Sequence, residues 1–449
     1  MSSESSMEME AALAFVRKEA AQSGAEQFDL VGHQSSSLSL SAFAGKVQQT
    51  EISESVGVGI RIFQNGSPGY ASTERLTQNS LRQTLRDALS HCAFTQAVPI
   101  VLPTPTEVPS LPTRWNPDLE SLGLSEIAKF CLDLEQAVFA RSSEIENVPH
   151  LGYGLSREQS WLLNSKGIYH SERENAFGVG IGAVGLRNGV RKMGVYQRAG
   201  RDRSMATVEG MANMVVERSL ELLDAMPIVG STMPVVFSNR ISASIIGLYL
   251  SSFHAELVQK GQSRLADKIG KRIAVPEFHL VSDPTRTDLP GAAVLDDEGV
   301  PTQRLDVVAG GELRSFLHNL ETAGRAHCTS TGHGARGFSG KVGTTFHNAL
   351  VLPGLRSEEE LLHLFPRCLH IVKLEGSSGC SAISGELSIG AQGFLVEKGE
   401  RVHAVDGITL STNFFDLLEH IVGIGNEYND SFSSLKVPAL AVTDVAVSA

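Results

Sequence analysis

Three groups of side chains in this sequence have the types that hydrolytic chemistry uses. In the stretch Ile241–Thr302, His254 and Glu256 sit in a run that reads as helix, and Asp296, Asp297 and Glu298 follow before Gly299. A helical imidazole beside a carboxylate is half of a zinc hydrolase. In HExxH the two imidazoles share one helix face and hold the metal, while the Glu activates a water. Here Ala255 follows His254, Glu256 stands two residues on, and Val258 and Gln259 occupy the place of a second imidazole. The full motif is absent. His254 reads either as a packed or hydrogen-bonded helix histidine or, more sharply, as a lone metal ligand.

The second group is His327, Cys328 and His333, which Cys380 or His347 could complete as a metal set. Their spacing matches no standard zinc module. Gly332-His333-Gly334 reads as a loop, with a structural or a substrate-contacting role. In the third group, adjacent strand residues point to opposite faces, so only Asp296 and Glu298 could act as an acid/base pair. Gly299 and Pro301 suggest instead a turn whose carboxylates cap backbone amides. No GxSxG elbow, phosphate-binding loop or dinucleotide fingerprint follows a strand.

Elements to position these groups can be read from periodicity and turn chemistry. Glu8–Ala21 and Ser80–Cys92 read as helices, as do Ser125–Arg141, N-capped by Ser125, and Met205–Ala225, ended by Pro227. Ser35–Ala44 alternates as a hydroxyl-rich strand. In Val56–Phe63, Val56, Val58, Ile60 and Ile62 share one face; Gly57, Gly59 and Arg61 share the other. Asn65-Gly66 supplies a tight hairpin turn. The pattern returns at Phe177–Ile181 with Asn188-Gly189, so a helix-plus-meander unit is duplicated and the two copies can share one sheet. The alternating glycines mean either bulge and curvature or a face that another surface approaches closely. Hairpins are expected about Gly310-Gly311 and Lys398-Gly399, helices at Glu358–Leu364 and Asn413–Val422, and a strand from Val437. The expected fold is α+β with antiparallel sheets in two domains, because hairpin turns outnumber crossover helices. The N-terminal domain spans residues 1–230, in halves 1–98 and 118–230 about the proline-rich connector 99–117, and the C-terminal domain spans 231–449.

The bulk numbers set limits. The 449 residues suffice for two full cores, and 42% hydrophobic with 20% charged residues is ordinary for a globular protein. A net charge of −12 argues against a general nucleic-acid binder. Five cysteines, none in CxxC spacing, fit a reducing compartment. The N-terminus lacks the basic and apolar regions of a signal peptide, and no apolar run is long enough to span a membrane. A cytoplasmic location is expected.

Several longer motifs carry a resemblance. They are Val258-Gln259-Lys260-Gly261-x-Ser263-x-Leu265-Ala266-Asp267-Lys268, Asp296-Asp297-Glu298-Gly299-Val300-Pro301-Thr302, and Ser330-Thr331-Gly332. Gly390-Ala391-x-Gly393-Phe394 with Glu397-x-Gly399-Glu400, and Gly423-x-Gly425-Asn426, complete the series. In this order and spacing the chain resembles the TldD/PmbA family, described as modulators of DNA gyrase and grouped with metallopeptidases, and within it the PmbA (TldE) branch. The resemblance implies a two-domain subunit that pairs with a TldD-type chain. That partner carries an HExxxH zinc helix and a late Cys ligand, and the pair cleaves unfolded or extended peptides. The helix position corresponds here to Ser251–Val258, where HExxxH is absent, and no cysteine follows Cys380. One departure is His333, where PmbA-type chains usually have Asn.

The resemblance therefore implies a subunit without catalytic residues or metal of its own, with zinc expected in the partner. Gln259, Lys260, Gly261, Asp296, Asp297, Glu298, Gly299, Gly332 and His333 are expected to form a framework for peptide or partner contact. The alternative is a homodimeric peptide-binding adaptor without a catalytic partner.

Overall fold

The computed structural model describes residues 6–449. Its N-terminal part is one six-stranded antiparallel sheet that both sequence copies build together. The first copy supplies α1 (Met9–Ala21), β1 (Gln27–Phe43), β2 (Lys46–Gln64), β3 (Ser67–Thr73) and α2 (Gln78–His91). The second supplies α3 (Leu124–Arg141), β4 (Ile145–Asn164), β5 (Tyr169–Arg187), β6 (Val190–Gly200) and α4 (Val208–Leu220). The strand order β3-β2-β1-β4-β5-β6 joins the copies back to back through β1 and β4.

Alternation decides what each face does. Leu30, Val58, Ile60 and Ile62 pack under α1 and α2, and Leu40, Tyr153, Phe177 and Val179 pack under α3 and α4. Both helix pairs thus lie on one face. The β2–β3 and β5–β6 turns are the expected hairpins, with Asn65, Gly66, Asn188 and Gly189 all at positive φ, which Asn and Gly adopt most cheaply.

The C-terminal part holds the largest core, which contains Phe237, Tyr249, Phe253, Phe278 and Phe414. Its main sheet runs, by strand, Glu400–Asn413, Glu386–Glu397, Arg367–Glu375, Ser231–Phe237, Leu440–Ser448 and Ile421–Ile424. A smaller five-stranded sheet includes Leu280–Ser282, Leu305–Ala309 and Ala349–Val351. Antiparallel ladders predominate, so the fold is α+β as the turn count indicates.

Several boundaries differ from the sequence reading. The helix expected through His254 is broken into α5 (Ser242–Gly247), a 3-10 turn at Leu250–Phe253 and α6 (Ala255–Gln259). His254 itself is extended, at φ −82° and ψ 123°. Tertiary pairing causes the break: Leu317 N–H donates to Phe253 O and Ala255 N–H to Leu317 O, which draws the chain off the helical path. Gly123, not Ser125, is the N-cap of α3, and it makes no side-chain cap. α4 begins only after Thr207, whose hydroxyl accepts from Gly210 N–H. The expected last helix stops at Glu419, since Ile421–Ile424 pairs in the main sheet.

Candidate functional site

The acidic tripeptide is an interior turn. Asp296 Oδ1 accepts from the backbone N–H of Glu298 and Val300, each at 2.9 Å, and Oδ2 from Gly334 N–H at 2.8 Å. This is the amide-capping role that the Gly299–Pro301 context suggests. Gly299 takes φ +84°, and a Cβ there would crowd Ile168 in the β4–β5 connection of the N-terminal part. Burial first, then the nearby Glu298 charge, pushes the Asp296 carboxyl up to about 8 against these three donors. Asp297 Oδ2 accepts from Arg336 N–H at 2.8 Å.

Glu298 reaches out of the turn to the other domain. Its Oε1 accepts from Arg61 Nη1 at 2.7 Å, and its Oε2 from Leu320 N–H at 2.7 Å. Arg61 also donates to Asp29 Oδ2, through Nε at 2.9 Å, and Arg336 donates to Asp29 Oδ1. Asp29 and Arg61 are fully buried, and Glu298 and Arg336 nearly so. Burial opposes the Asp29 charge, but Arg336 and Arg61 outweigh it and hold the carboxyl below its usual range. Arg61 stays charged by the same balance: burial works against it, and Asp29 and Glu298 raise it further. Four side chains from both domains thus form one neutralised, hydrogen-bonded bolt, the condition under which buried charge is tolerated.

Phe338 completes the closure. A Cβ at Gly59 would collide with the Phe338 backbone carbonyl, and one at Gly57 with its ring. The Phe338 ring also stacks on His33, with centroids 6.3 Å apart. The bare face of β1 and β2 is therefore approached closely, and the approaching surface is this chain's own C-terminal domain. Beyond Phe338 the same face continues uncovered. Ser35, Ser37, Ser39 and Ser41 of β1 lie in register with Glu158, Ser156, Gly154 and Gly152 of β4. These in turn pair with Glu174, Ala176, Gly178 and Gly180 of β5. A Cβ at Gly180 would meet nothing within 4 Å, and at Gly178 only Ala199, at 3.9 Å.

Among the described residues the His/Cys group does not assemble into a metal set, although His333 and His347 come together. His333 is fully buried; Nδ1 lies 2.9 Å from Thr331 Oγ1 and Nε2 2.9 Å from Ser282 Oγ. Burial, and then His347, depress its imidazole to about 3, so it is neutral at pH 7. His347 packs 5.0 Å from His333 and bonds Gly332 O. Cys328 is exposed instead, beside a cavity of about 400 Å³ lined also by Val258, Gln259, Phe316 and His318. Burial lowers the imidazoles of His254, His318 and His347 as well. Among the described residues, no group of three or more His, Cys, Asp or Glu side chains is arranged to hold a metal ion.

Of the expected framework, Asp296, Glu298 and His333 are buried, Asp296 capping amides of its own turn and Gly334, and Glu298 turned toward this chain's own N-terminal part. Gln259 and Lys260 line a second cavity of about 270 Å³ with Tyr70, Asn319, Arg325 and Lys341. Gln259 Nε2 donates to Thr322 O at 2.7 Å, Lys260 pairs with Glu256 at 2.6 Å, and Gly261 closes α6 at φ +68°. Arg61, Asp29, Arg336 and Phe338 escape a reading of motifs. The usable signal was Gly57-x-Gly59-x-Arg61, a cation on a face otherwise stripped of side chains.

Comparison with known proteins bears on this arrangement. Family models match in three consecutive segments: PmbA/TldA metallopeptidase domain 1 over residues 28–92, its central domain over 117–223, and its C-terminal domain over 230–449. The chain belongs to the PmbA/TldD metallopeptidase family. It is 25% identical over 396 residues to the metalloprotease PmbA of Escherichia coli O157:H7, covering 87% of this chain and 85% of that protein. A Thermotoga maritima crystal structure, described as a candidate modulator of a DNA gyrase, superposes with a TM-score of 0.89 at 25% identity, over 98% of this chain and all of that one. TldE of Thermococcus kodakarensis has the same fold, with a TM-score of 0.88 at 20% identity, over 98% of this chain and 100% of that one. No helix among the described residues is long and apolar enough to cross a membrane.

Proposed function

We propose that this chain is a TldE/PmbA-type subunit without its own zinc site, acting in the cytoplasm with a TldD-type partner in a peptidase that cleaves unfolded or extended peptides. The observation that carries the reading is the stretch Ser251–Val258, where the family resemblance puts the zinc helix. A metal helix needs two imidazoles on one continuous helical face. Here the only imidazole, His254, sits on an extended residue packed 6.2 Å from the Phe346 ring, and Glu256 is engaged by Lys260. These residues do not fit a zinc ion, so the metal and its activated water belong to the partner. The uncovered Ser/Gly face is this chain's contribution to the peptide path. With few side chains above the pleat, an extended segment can lie close to it, held through backbone and hydroxyl groups without sequence preference.

Metal analysis and peptide cleavage, with and without a TldD-type chain, test the proposal. The chain alone should carry no stoichiometric zinc and leave an unfolded peptide intact, whereas the mixture should cleave it. One zinc per isolated chain together with cleavage would overturn the reading.

A further inference from the structure

A cavity in the second copy plays no part in the peptide path. Its volume is about 590 Å³, and it lies on the helix-covered face of the sheet, between α3 and the 3-10 turn Arg203–Met205. Its floor is apolar. Phe130 meets Tyr153 edge to face, with centroids 5.8 Å apart, and Leu122, Ile127 and Ala206 extend that surface. Its rim is acidic: Asp118, Glu126, Asp133 and Asp202 stand against only Lys129 and Arg203. Both cations are already engaged, Lys129 with Asp133 at 2.5 Å and Arg203 with Glu126 at 2.7 Å. Among the described residues Asp118 and Asp202 enter no ion pair, and Asp202 instead accepts from Ser204 N–H at 2.9 Å. Tyr153 is 5% exposed and lines the cavity, yet its hydroxyl makes no hydrogen bond among the described residues. Burial pushes its phenol up to about 12, so the hydroxyl is neutral at pH 7. A polar group this deep normally has a partner.

We propose that this cavity binds an organic cation with an apolar stem, of the alkylammonium class. Its size is that of a small-molecule site. The stem lies on Phe130 and Tyr153, and the ammonium donates to the Tyr153 hydroxyl and to the unpaired carboxylates. The aromatic rings add their own attraction for a cation. An anion would meet four carboxylates and two cations, a net charge of −2. The start of α3 does not reverse this, because Leu124 and Ser125, where the helix amides lack partners within the helix, do not line the cavity. The chain's own Arg203 follows the same preference: Glu126 above all, then Tyr153 and Asp118, raise its pKa. The cation can come from a free alkylamine or from the lysine side chain of a peptide. The cavity lies on the face opposite the open Ser/Gly surface, so this inference does not depend on the peptidase reading.

Ligand-observed NMR titration of the full chain tests it, with n-butylammonium, n-butanol and butyrate as probes that share a stem and differ in charge. n-Butylammonium should bind in the millimolar range, n-butanol about tenfold more weakly, and butyrate not measurably. Tyr153→Phe and Asp118→Asn remove no side-chain hydrogen bond within the fold, so urea midpoints should stay unchanged. Each should weaken n-butylammonium binding about threefold. Nα-acetyl-lysine amide and 1,5-diaminopentane separate the two sources. Comparable affinities assign the site to a lysine side chain, and binding of the diamine alone assigns it to free amines. No binding of n-butylammonium, equal binding of the three matched probes, or butyrate as the tightest of them would each overturn the proposal. So would n-butylammonium binding that neither substitution weakens.

Discussion

The two copies of the helix-plus-meander unit use the same glycine alternation for opposite ends. In the first copy, Gly57 and Gly59 let Phe338 press against the sheet, with Arg61 bolted to Glu298 alongside. In the second, Gly178 and Gly180 occupy the matching face with nothing pressed against them. Their Gly152 and Gly154 neighbours meet only backbone oxygens of adjacent strands, at 3.6 and 3.9 Å. A missing side chain is thus a packing requirement in one half and open space in the other. The comparison separates what glycine does for stability from what it leaves available to a ligand.

The largest effect should come from the bolt. Arg61→Met leaves Glu298 and part of Asp29 buried without their cation, and losing one partner of a buried ionic network costs about 3–5 kcal/mol. Urea denaturation should show it, and a loss under about 1 kcal/mol would mean the domains are held together elsewhere. Next comes Gly59→Val. Overpacking against the Phe338 backbone should cost about 1–3 kcal/mol, whereas Gly180→Val should stay within about 0.5 kcal/mol of wild type. Equal losses at the two sites would erase the distinction between the halves.

A smaller effect concerns pH and the segment that leads into Arg336 and Phe338. His333 has a folded pKa depressed to about 3 from a usual 6.5, so the unfolded chain binds its proton first as pH falls. Its contribution is therefore complete above about pH 6.5 and is lost progressively toward pH 3. His333→Asn should fall less steeply over that window when denaturation midpoints are compared. A parallel pH profile would show that His333 is not held neutral by its surroundings.

Much of the sheet was legible because its signals are local. Asn65-Gly66 and Asn188-Gly189 fix their turns within four residues, and the apolar alternation from Val56 to Ile62 names the helix-covered face. The turn at Asp296 was legible for the same reason, its acceptors lying two and four residues from their donors. What could not be read is long-range. Arg61 and Glu298 are separated by 237 positions, so neither spacing nor periodicity connects them. The helix expected through His254 failed because Leu317, far along the chain, competes for its backbone. The glycine face was read correctly as bare, and only the tertiary fold decides which part of it is covered.

The smallest effect on stability has the sharpest consequence for function. Gly180→Val adds a β-branched side chain to a strand position with open space above it and no positive φ to strain, so folding should be unchanged or slightly favoured. If the open face lies along the peptide path, that side chain stands where the peptide backbone must come close. The subunit would then fold normally and assemble normally with a TldD-type chain, yet the pair would cleave an unfolded peptide more slowly, with the loss in KM and not in kcat, because the reacting groups are elsewhere. Gly189→Val, at a turn with open space but φ +82°, serves as a control of opposite character, expected to lower stability without raising KM. A Gly180→Val pair that cleaves with wild-type KM would leave the second copy's bare face without a role in peptide binding.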